Sequence, residues 1–559
     1  TRTILDIQGD GLIVDPITNW HAVPGTTRPT STPLRIHVAN LTRNVIVRSE
    51  STDIDRRGHV MFMRHKDVDI SFAGFYDLGR TDKKVALNDS LIDESGQLIP
   101  GTGTNQRARY SLHFHRSGVV DDGDPATIHG SVVARSPGWG FVNHSSFVDF
   151  THNVTFDVDG AGFATEAGDE IGVFRNNIAL RGRGSGLKSI NARHDLQDFG
   201  HQGDGYWLQG AGVIVEDNVA AGQKGHGLII YTRGLVEFDL QDDSAAEDVP
   251  TMFAASNLDF PHIAGGEEFV FVHDVPTRDF RRNIAYGSGT GIAPTYINFR
   301  PREDHERPRH DVEGLIEDVT SWNNRVGFLG YYLVNSVVRN ATVIGRITNP
   351  VAYGIKAHVG SENVTFENTH VEGFAWGLTV PRRGDVDISG GYFNNLENVL
   401  VSSIDQSPAL DKPVAVQRHH VLIRDTEFGT LPARGLMGRT QQDVILTNWF
   451  QAGECTFRHV LLSESVVLDY GEFDNQRVWY ALQAPDAVPF TEPHPALDPA
   501  WVGLTNLQLQ DQFGVSFGGA MTPEEATSTD AVFADIGLLF DQAAREASRQ
   551  PARISPQPG

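Results

Sequence analysis

A single cysteine, Cys455, excludes a disulfide framework within the chain and leaves the redox compartment open. Only five of 559 residues are methionine and long amphipathic helical patterns are nearly absent, which excludes a helical bundle as the main architecture. No apolar run reaches the roughly 18 residues that a membrane-spanning helix needs. No signal-peptide pattern opens the sequence, and because its first residue is Thr rather than Met, a removed leader stays open. Basic residues are scarce: 46 Lys plus Arg stand against 71 Asp plus Glu, a net charge of −25. That balance opposes nucleic-acid binding and fits a secreted, periplasmic or cell-surface monomer. A polyanionic substrate would then need a locally basic site.

Gly (57) and Phe (31) are plentiful, and Val, Ile and Thr recur in short runs bounded by Gly, Asn and Asp, which is strand-and-turn chemistry. One phrase returns along the chain, an Asn- or Asp-led strand followed by a Gly-led strand. Asn153-Val-Thr-Phe-Asp157 leads to Gly162-Phe-Ala-Thr-Glu166, Asn218-Val-Ala-Ala-Gly222 to Gly227-Leu-Ile-Ile-Tyr231, and Asp318-Val-Thr-Ser-Trp322 to Gly327-Phe-Leu-Gly-Tyr331. Gly140 to Gly162 and Gly205 to Gly227 are each 22 residues, and Gly354 to Gly377 is 23. So narrow a period marks a solenoid whose coils bury their apolar side only against neighbours. The expected fold is all-β: a right-handed parallel β-helix over 35–469, an N-terminal cap over 1–34 and a mixed C-terminal extension over 470–559, helical near Asp530 to Arg549. Residues 191–204 and 234–280 are too long for coil turns and are expected as insertions on the flank. The Asn-x-Ser/Thr triplets at Asn143 and Asn153 fall inside coils and are read as chance rather than glycosylation.

Equivalent positions of successive coils stack about 4.8 Å apart. The fourth residue after each leading Gly is His144, Glu166, Gln209, Tyr231, Thr295, Tyr331 and His358, a polar column among apolar neighbours. Just before it, strand alternation in Arg109-Tyr-Ser-Leu-His113-Phe-His115 sends both histidines to one face and Leu112 and Phe114 to the other. His113, His115, His144 and Glu166 then suit a divalent metal ion, zinc or another transition metal before calcium. The alternatives are a hydrogen-bonded polar ladder, or acids and bases without metal. Arg109 and Arg193 are candidate carboxylate clamps, since a guanidinium fork matches a uronate. Glu166, Asp169 and His194 are candidate catalytic groups, with Arg193 and His194 carried on the inserted loop. Trp139, Trp207, Gln209, Tyr231 and Tyr331 are expected to bind sugar, aromatic faces beside a groove being suited to stacking on rings. Core packing is the competing fate of both tryptophans. His59 belongs to an earlier coil whose register the 85–105 loop obscures.

Arg109-Tyr-Ser-Leu-His-Phe-His115, Phe141-Val-Asn-His144-Ser, Gly160-Ala-Gly-Phe-Ala-Thr-Glu166-Ala-Gly168, Tyr206-Trp207 and Asn218-Val-Ala-Ala-Gly222 resemble, in order and spacing over 105–235, the β-helical region of the cell-surface hyaluronidases related to transmembrane protein 2 and the cell-migration-inducing hyaluronan-binding protein. Residues 208–212 read Leu-Gln-Gly-Ala-Gly, without the Asn-Pro-Asn-rich turn or the disulfide cysteines of the animal proteins. The resemblance implies a β-helix that depolymerises a glycosaminoglycan with divalent-cation dependence, and it carries over to Arg109, His113, His115, His144 and Glu166. The expected function is cleavage of an acidic polysaccharide in a groove on the wall, hydrolysis before β-elimination. An oxidative enzyme and a non-catalytic carbohydrate-binding solenoid are the rivals.

Overall fold

The computed structural model describes residues 2–8, 11–15, 22–185, 198–232, 252–298, 310–346, 352–357, 361–381, 383–402, 419–431, 441–447, 466–470, 478–481 and isolated residues between 500 and 508. Three sheets of 13, 12 and 12 parallel strands run the length of a right-handed β-helix, and each full coil adds one strand to each sheet. Its strands extend from Val45–Arg48 to Val478–Ala481. The helical stretch expected near Asp530 lies outside the described residues. Among those described, no helix is long and apolar enough to cross a membrane.

The repeat works because it returns the same phase of the strand to the same wall. On the 13-stranded wall Phe141 pairs with Phe163 and Phe163 with Tyr206. Their rings stack inside at 5.1 and 4.9 Å, nearly parallel and fully buried. Each such side chain contributes roughly 1.5–3 kcal/mol. At one corner Asn153, Asn177, Asn218 and Asn283 form a buried ladder in which each Oδ1 accepts the N–H of the preceding Asn at 2.9, 3.0 and 3.1 Å. Each amide nitrogen donates to a carbonyl at 2.7–2.8 Å. The left-handed conformation sits one residue earlier, at His152, Asn176, Asp217 and Arg282. The Asn thus satisfies the buried backbone of the corner and its neighbour makes the bend. Asn143 and Asn153 are buried.

One 12-stranded wall carries an outward column of alternating charge, Arg175, Glu216, Arg281, Glu317, Arg339 and Glu367, each in register with the next. The other is crossed by residues 22–44, which form a strap. Thr27 donates its N–H to Glu372 at 2.7 Å, Arg28 pairs with Glu427, Ser31 meets Thr342 at 3.2 Å, and His37 donates its N–H to the Tyr286 hydroxyl at 3.0 Å. Ala39 and Leu41 pack on an apolar patch around Tyr76, Val132, Ala134 and Val154. Residues 22–34, expected within an N-terminal cap, therefore lie along the flank of late coils. In the 234–280 insertion the described part is an antiparallel pair, Met252–Ala254 with Phe269–Phe271, joined by 3-10 turns. Its Phe253 and Val272 lie against Gly212 and Gly168, so close that a Cβ on Gly168 would stand 2.8 Å from Val272.

Candidate metal centre on the solenoid wall

Strands Val60–Met63, Leu112–Gly118 and Phe141–Ser146 lie side by side on the 13-stranded wall, with Met63, His115 and His144 in one line of register. Leu112 and Phe114 point inward and are wholly buried, which turns His113 and His115 outward. Arg116 and Ser145, the residues after His115 and His144, have φ of 54° and 45°. The strands therefore bend as they leave the two histidines. Glu166 follows the next strand, its N–H on the Asn143 carbonyl at 3.1 Å.

The imidazole nitrogens of His113, His115 and His144 lie within 4.8 Å of one another. His115 Nδ1 is 3.1 Å from His144 Nδ1, and Glu166 Oε2 is 2.9 Å from His144 Nδ1 and 3.4 Å from His113 Nε2. His113 Nε2 and Glu166 Oε2 are both buried and approach each other off the hydrogen-bond direction, so neither has a hydrogen-bond partner. Converging lone pairs of this kind suit an ion. Four ligands about 2.0–2.1 Å from zinc would stand roughly 3.3 Å apart, close to these separations. His113 Nδ1 meets the Ala108 carbonyl at 3.3 Å, which leaves Nε2 as the lone-pair nitrogen facing the cluster.

Burial opposes ionisation of Glu166, but His144 and His113 outweigh it and hold the carboxyl well below its ordinary range. Burial, then the charges of His144 and His113, lowers His115 to about 4, so its imidazole is neutral at physiological pH. For His144 burial works downward while Glu166 works upward and prevails. Burial and the neighbouring Glu170 raise Asp169 to about 7. Glu170 is committed to the backbone. Its Oε1 accepts the N–H groups of Ser145, Glu166 and Ala167 at 3.1, 3.0 and 2.6 Å, and its Oε2 that of Gly168 at 2.6 Å. It ties the turn after Glu166 to the coil bearing His144, a role the sequence does not announce.

The polar column stands as a column, since Tyr231, Thr295 and Tyr331 are in register. Most of it is closed to ligands. Gln209 and Tyr231 are buried, and Tyr331 is half-buried against Tyr296 and Tyr332, five coils or about 24 Å from His144. Trp139 and Trp207 are 0% exposed, which corrects the expectation of sugar platforms. Trp139 stacks on Tyr110 at 4.4 Å, lies under the Lys83 ammonium at 4.4 Å and donates Nε1 to the Gly200 carbonyl at 2.9 Å; Trp207 stacks on Phe199 at 5.3 Å. The covering segment, 198–204, is held by a buried Lys83–Asp198 ion pair at 3.2 Å. Arg193, His194 and His358 lie outside the described residues. Arg109, Arg80 and the cluster's His113 are all within electrostatic reach of His59. Burial, then Arg80, Arg109 and His113, depresses the His59 imidazole.

Fold and geometry together define a right-handed parallel β-helix with a three-histidine, one-glutamate cluster on one wall. Residues 99–250, which contain the whole cluster, match the family model described as CEMIP beta-helix, in agreement with the resemblance over 105–235. No curated protein sequence matches the chain. Among solved structures, the A-module of Azotobacter vinelandii mannuronan C-5 epimerase AlgE6 is 13% identical with a TM-score of 0.29, covering 77% of this chain and 92% of that one. The A-module of mannuronan C-5 epimerase AlgE4 from the same organism is 9% identical, TM-score 0.28, with coverage of 67% and 84%. The catalytic domain of a GH87 alpha-1,3-glucanase in complex with tetrasaccharides is 11% identical, TM-score 0.25, with coverage of 78% and 70%.

Proposed function

We propose that this protein is an enzyme that depolymerises an acidic, uronic-acid-containing polysaccharide at the His113, His115, His144 and Glu166 centre, by hydrolysis and with a divalent transition-metal ion held there. The observation that carries the reading is the convergence of three imidazole nitrogens and one carboxylate oxygen, two of them buried without hydrogen-bond partners. The match of residues 99–250 to a β-helix family whose resemblance implies glycosaminoglycan cleavage supports it. Three nitrogen ligands favour a transition ion over calcium, which prefers oxygen. Such an ion, when bound, supplies Lewis acidity toward a glycosidic or water oxygen.

The protein's own groups have separate tasks. Ala108 fixes the tautomer of His113, and Glu170 fixes the turn that presents Glu166. Asp169, buried with Oδ1 unpartnered and raised to about 7, is the group that moves a proton near neutral pH. Arg109 is the guanidinium that meets the substrate carboxylate.

His115→Ala and His144→Ala are each expected to lose bound metal, read by elemental analysis of purified protein, while circular dichroism keeps the β-helix signal. Full metal occupancy in both variants would remove the metal centre. Product ultraviolet absorbance separates the chemistries, since an unsaturated uronate would replace hydrolysis by β-elimination.

A further inference from the structure

Many arginines of this acidic chain have a carboxylate: Arg107 has Asp89, Arg135 has Asp77, Arg339 has Glu367, and Arg175, Arg281 and Arg282 share Glu216. Arg80 and Arg109 are among the described arginines without one; of the others, half-buried Arg43 and Arg57 donate to backbone carbonyls, Arg43 to Asn40, Thr42 and Gly130 and Arg57 to Thr52 and Arg135. Arg80 and Arg109 are half-buried and neither faces a carboxylate; the Arg80 guanidinium reaches only the Arg57 carbonyl, at 3.5 Å. A half-buried cation without a counter-ion has lost hydration and gained no partner, so it favours an anion.

The backbone brings these two together with His59. Gly79 donates its N–H to the Gly58 carbonyl at 2.8 Å and Arg80 donates its own to the Arg109 carbonyl at 2.8 Å, which clasps three chain segments side by side. Arg109 in turn donates its N–H to the Thr81 hydroxyl at 2.9 Å. Gly79 has φ +90°, and a Cβ there would stand 3.3 Å from the Arg109 carbonyl oxygen and the Ser111 nitrogen. Only glycine takes that turn so closely. His59 precedes Val60, the partner of Leu112, and so falls on the same outward face as Met61 and its partner His113. The loop that carries Arg109 also supplies the Ala108 carbonyl that orients His113. The clasp is therefore built into the same support as the metal centre.

We infer that His59, Arg80 and Arg109 form an anion subsite next to the His113 edge of the cluster, which takes the carboxylate of a uronate in the substrate chain. This rests on the function proposed above and names what selects its substrate. Two guanidinium forks and an imidazole N–H supply planar, directional donors that match a carboxylate. Burial first, and then Arg80, Arg109 and His113, lowers the basicity of His59, and a bound carboxylate offsets the charges of the two arginines.

The test is equilibrium binding by calorimetry with the full chain. The probes are a hyaluronan hexasaccharide and a hexagalacturonate, each beside the same sugar with its carboxyls reduced to alcohols. At least one acidic probe is expected to bind about tenfold or more tighter than its reduced form. Arg80→Gln is expected to abolish that preference without changing affinity for the reduced sugar, Arg80→Lys to restore part of it, and metal content to stay the same in both. Equal affinity for acidic and reduced forms, no binding of any probe, or a preference that survives Arg80→Gln would overturn the subsite. A carboxyl-reduced, sulfated chondroitin hexasaccharide that binds as tightly as the acidic probes would assign it to sulfate and also overturn it. Because the readout is binding, a protein that selects the acid but cleaves nothing would sink the depolymerase reading and leave the subsite standing.

Discussion

Glu170 is the residue on which the candidate centre depends most without belonging to it. Four N–H groups of the turns around His144 and Glu166 end on its carboxylate inside the protein. Glu170→Ala leaves the Ser145, Ala167 and Gly168 donors unsatisfied, while Glu166 keeps the Asn143 carbonyl, and each buried unpaired group costs about 1–3 kcal/mol. A loss of about 3 kcal/mol or more in urea unfolding is expected, together with weaker metal retention. Glu170→Gln keeps an acceptor for Oε1's partners and loses the one that serves Gly168, so it is expected to fall between. Equal stability of all three proteins would show that water or another group satisfies the turn. The clustering of these side chains was legible because spacings of 29 and 22 residues, combined with strand alternation, leave few ways to place His115, His144 and Glu166. Trp139 and Trp207 were not, because their burial depends on residues 198–204 folding back over the wall, a contact at 61 residues' separation for Trp139 and Gly200. The clasp of Gly58, Gly79 and Arg109 was hidden in the same way by the loop between its last two segments.

At the scale of the strand column, the alternating charges of the second wall form a device with a defined pH response. Burial opposes ionisation of Glu216, but Arg281, Arg175 and Arg282 hold its carboxyl below the ordinary 4.5. A carboxylate depressed in the folded state contributes stability that is present above its unfolded value and is lost as pH falls through the folded one. The urea midpoint is therefore expected to be flat from pH 7 to about 5 and to decline below about 4.5, more steeply in the unsubstituted protein than in Glu216→Gln. Parallel declines would remove Glu216 from the account. The arginines of this column are partly exposed, so added salt is expected to weaken the effect. The coils themselves were readable from the Asn-led and Gly-led phrases. Their charge pairing was not, since insertions separate partners by 41 residues at Arg175–Glu216 and 65 at Glu216–Arg281. Likewise Asn153 and Asn218 marked the corner, whereas the left-handed residue before them is His152 in one and Asp217 in the other, and in the third phrase the leading Asp318 is itself left-handed.

Over the whole molecule, a solenoid was legible because one period accounts for most of the chain, while the strap of residues 22–44 was not, because its partners lie up to 399 residues away. Removing residues 1–44 exposes the apolar patch around Tyr76, Val132 and Val154. The truncated chain is expected to melt at lower temperature and to bind a hydrophobic dye that the full chain does not. An unchanged melt would mean that the strap is passive. A stack of coils, left to itself, transmits stability only between neighbours and frays from either end. The strap adds contacts that skip many coils, from Leu41 at Tyr76 through His37 at Tyr286 to Arg28 at Glu427. Opening a late coil therefore loosens the hold on an early one. In native-state hydrogen exchange, amides of the early and late coils are expected to open together in the full chain and at separate rates once the strap is gone, so that a one-dimensional array behaves as a single cooperative unit.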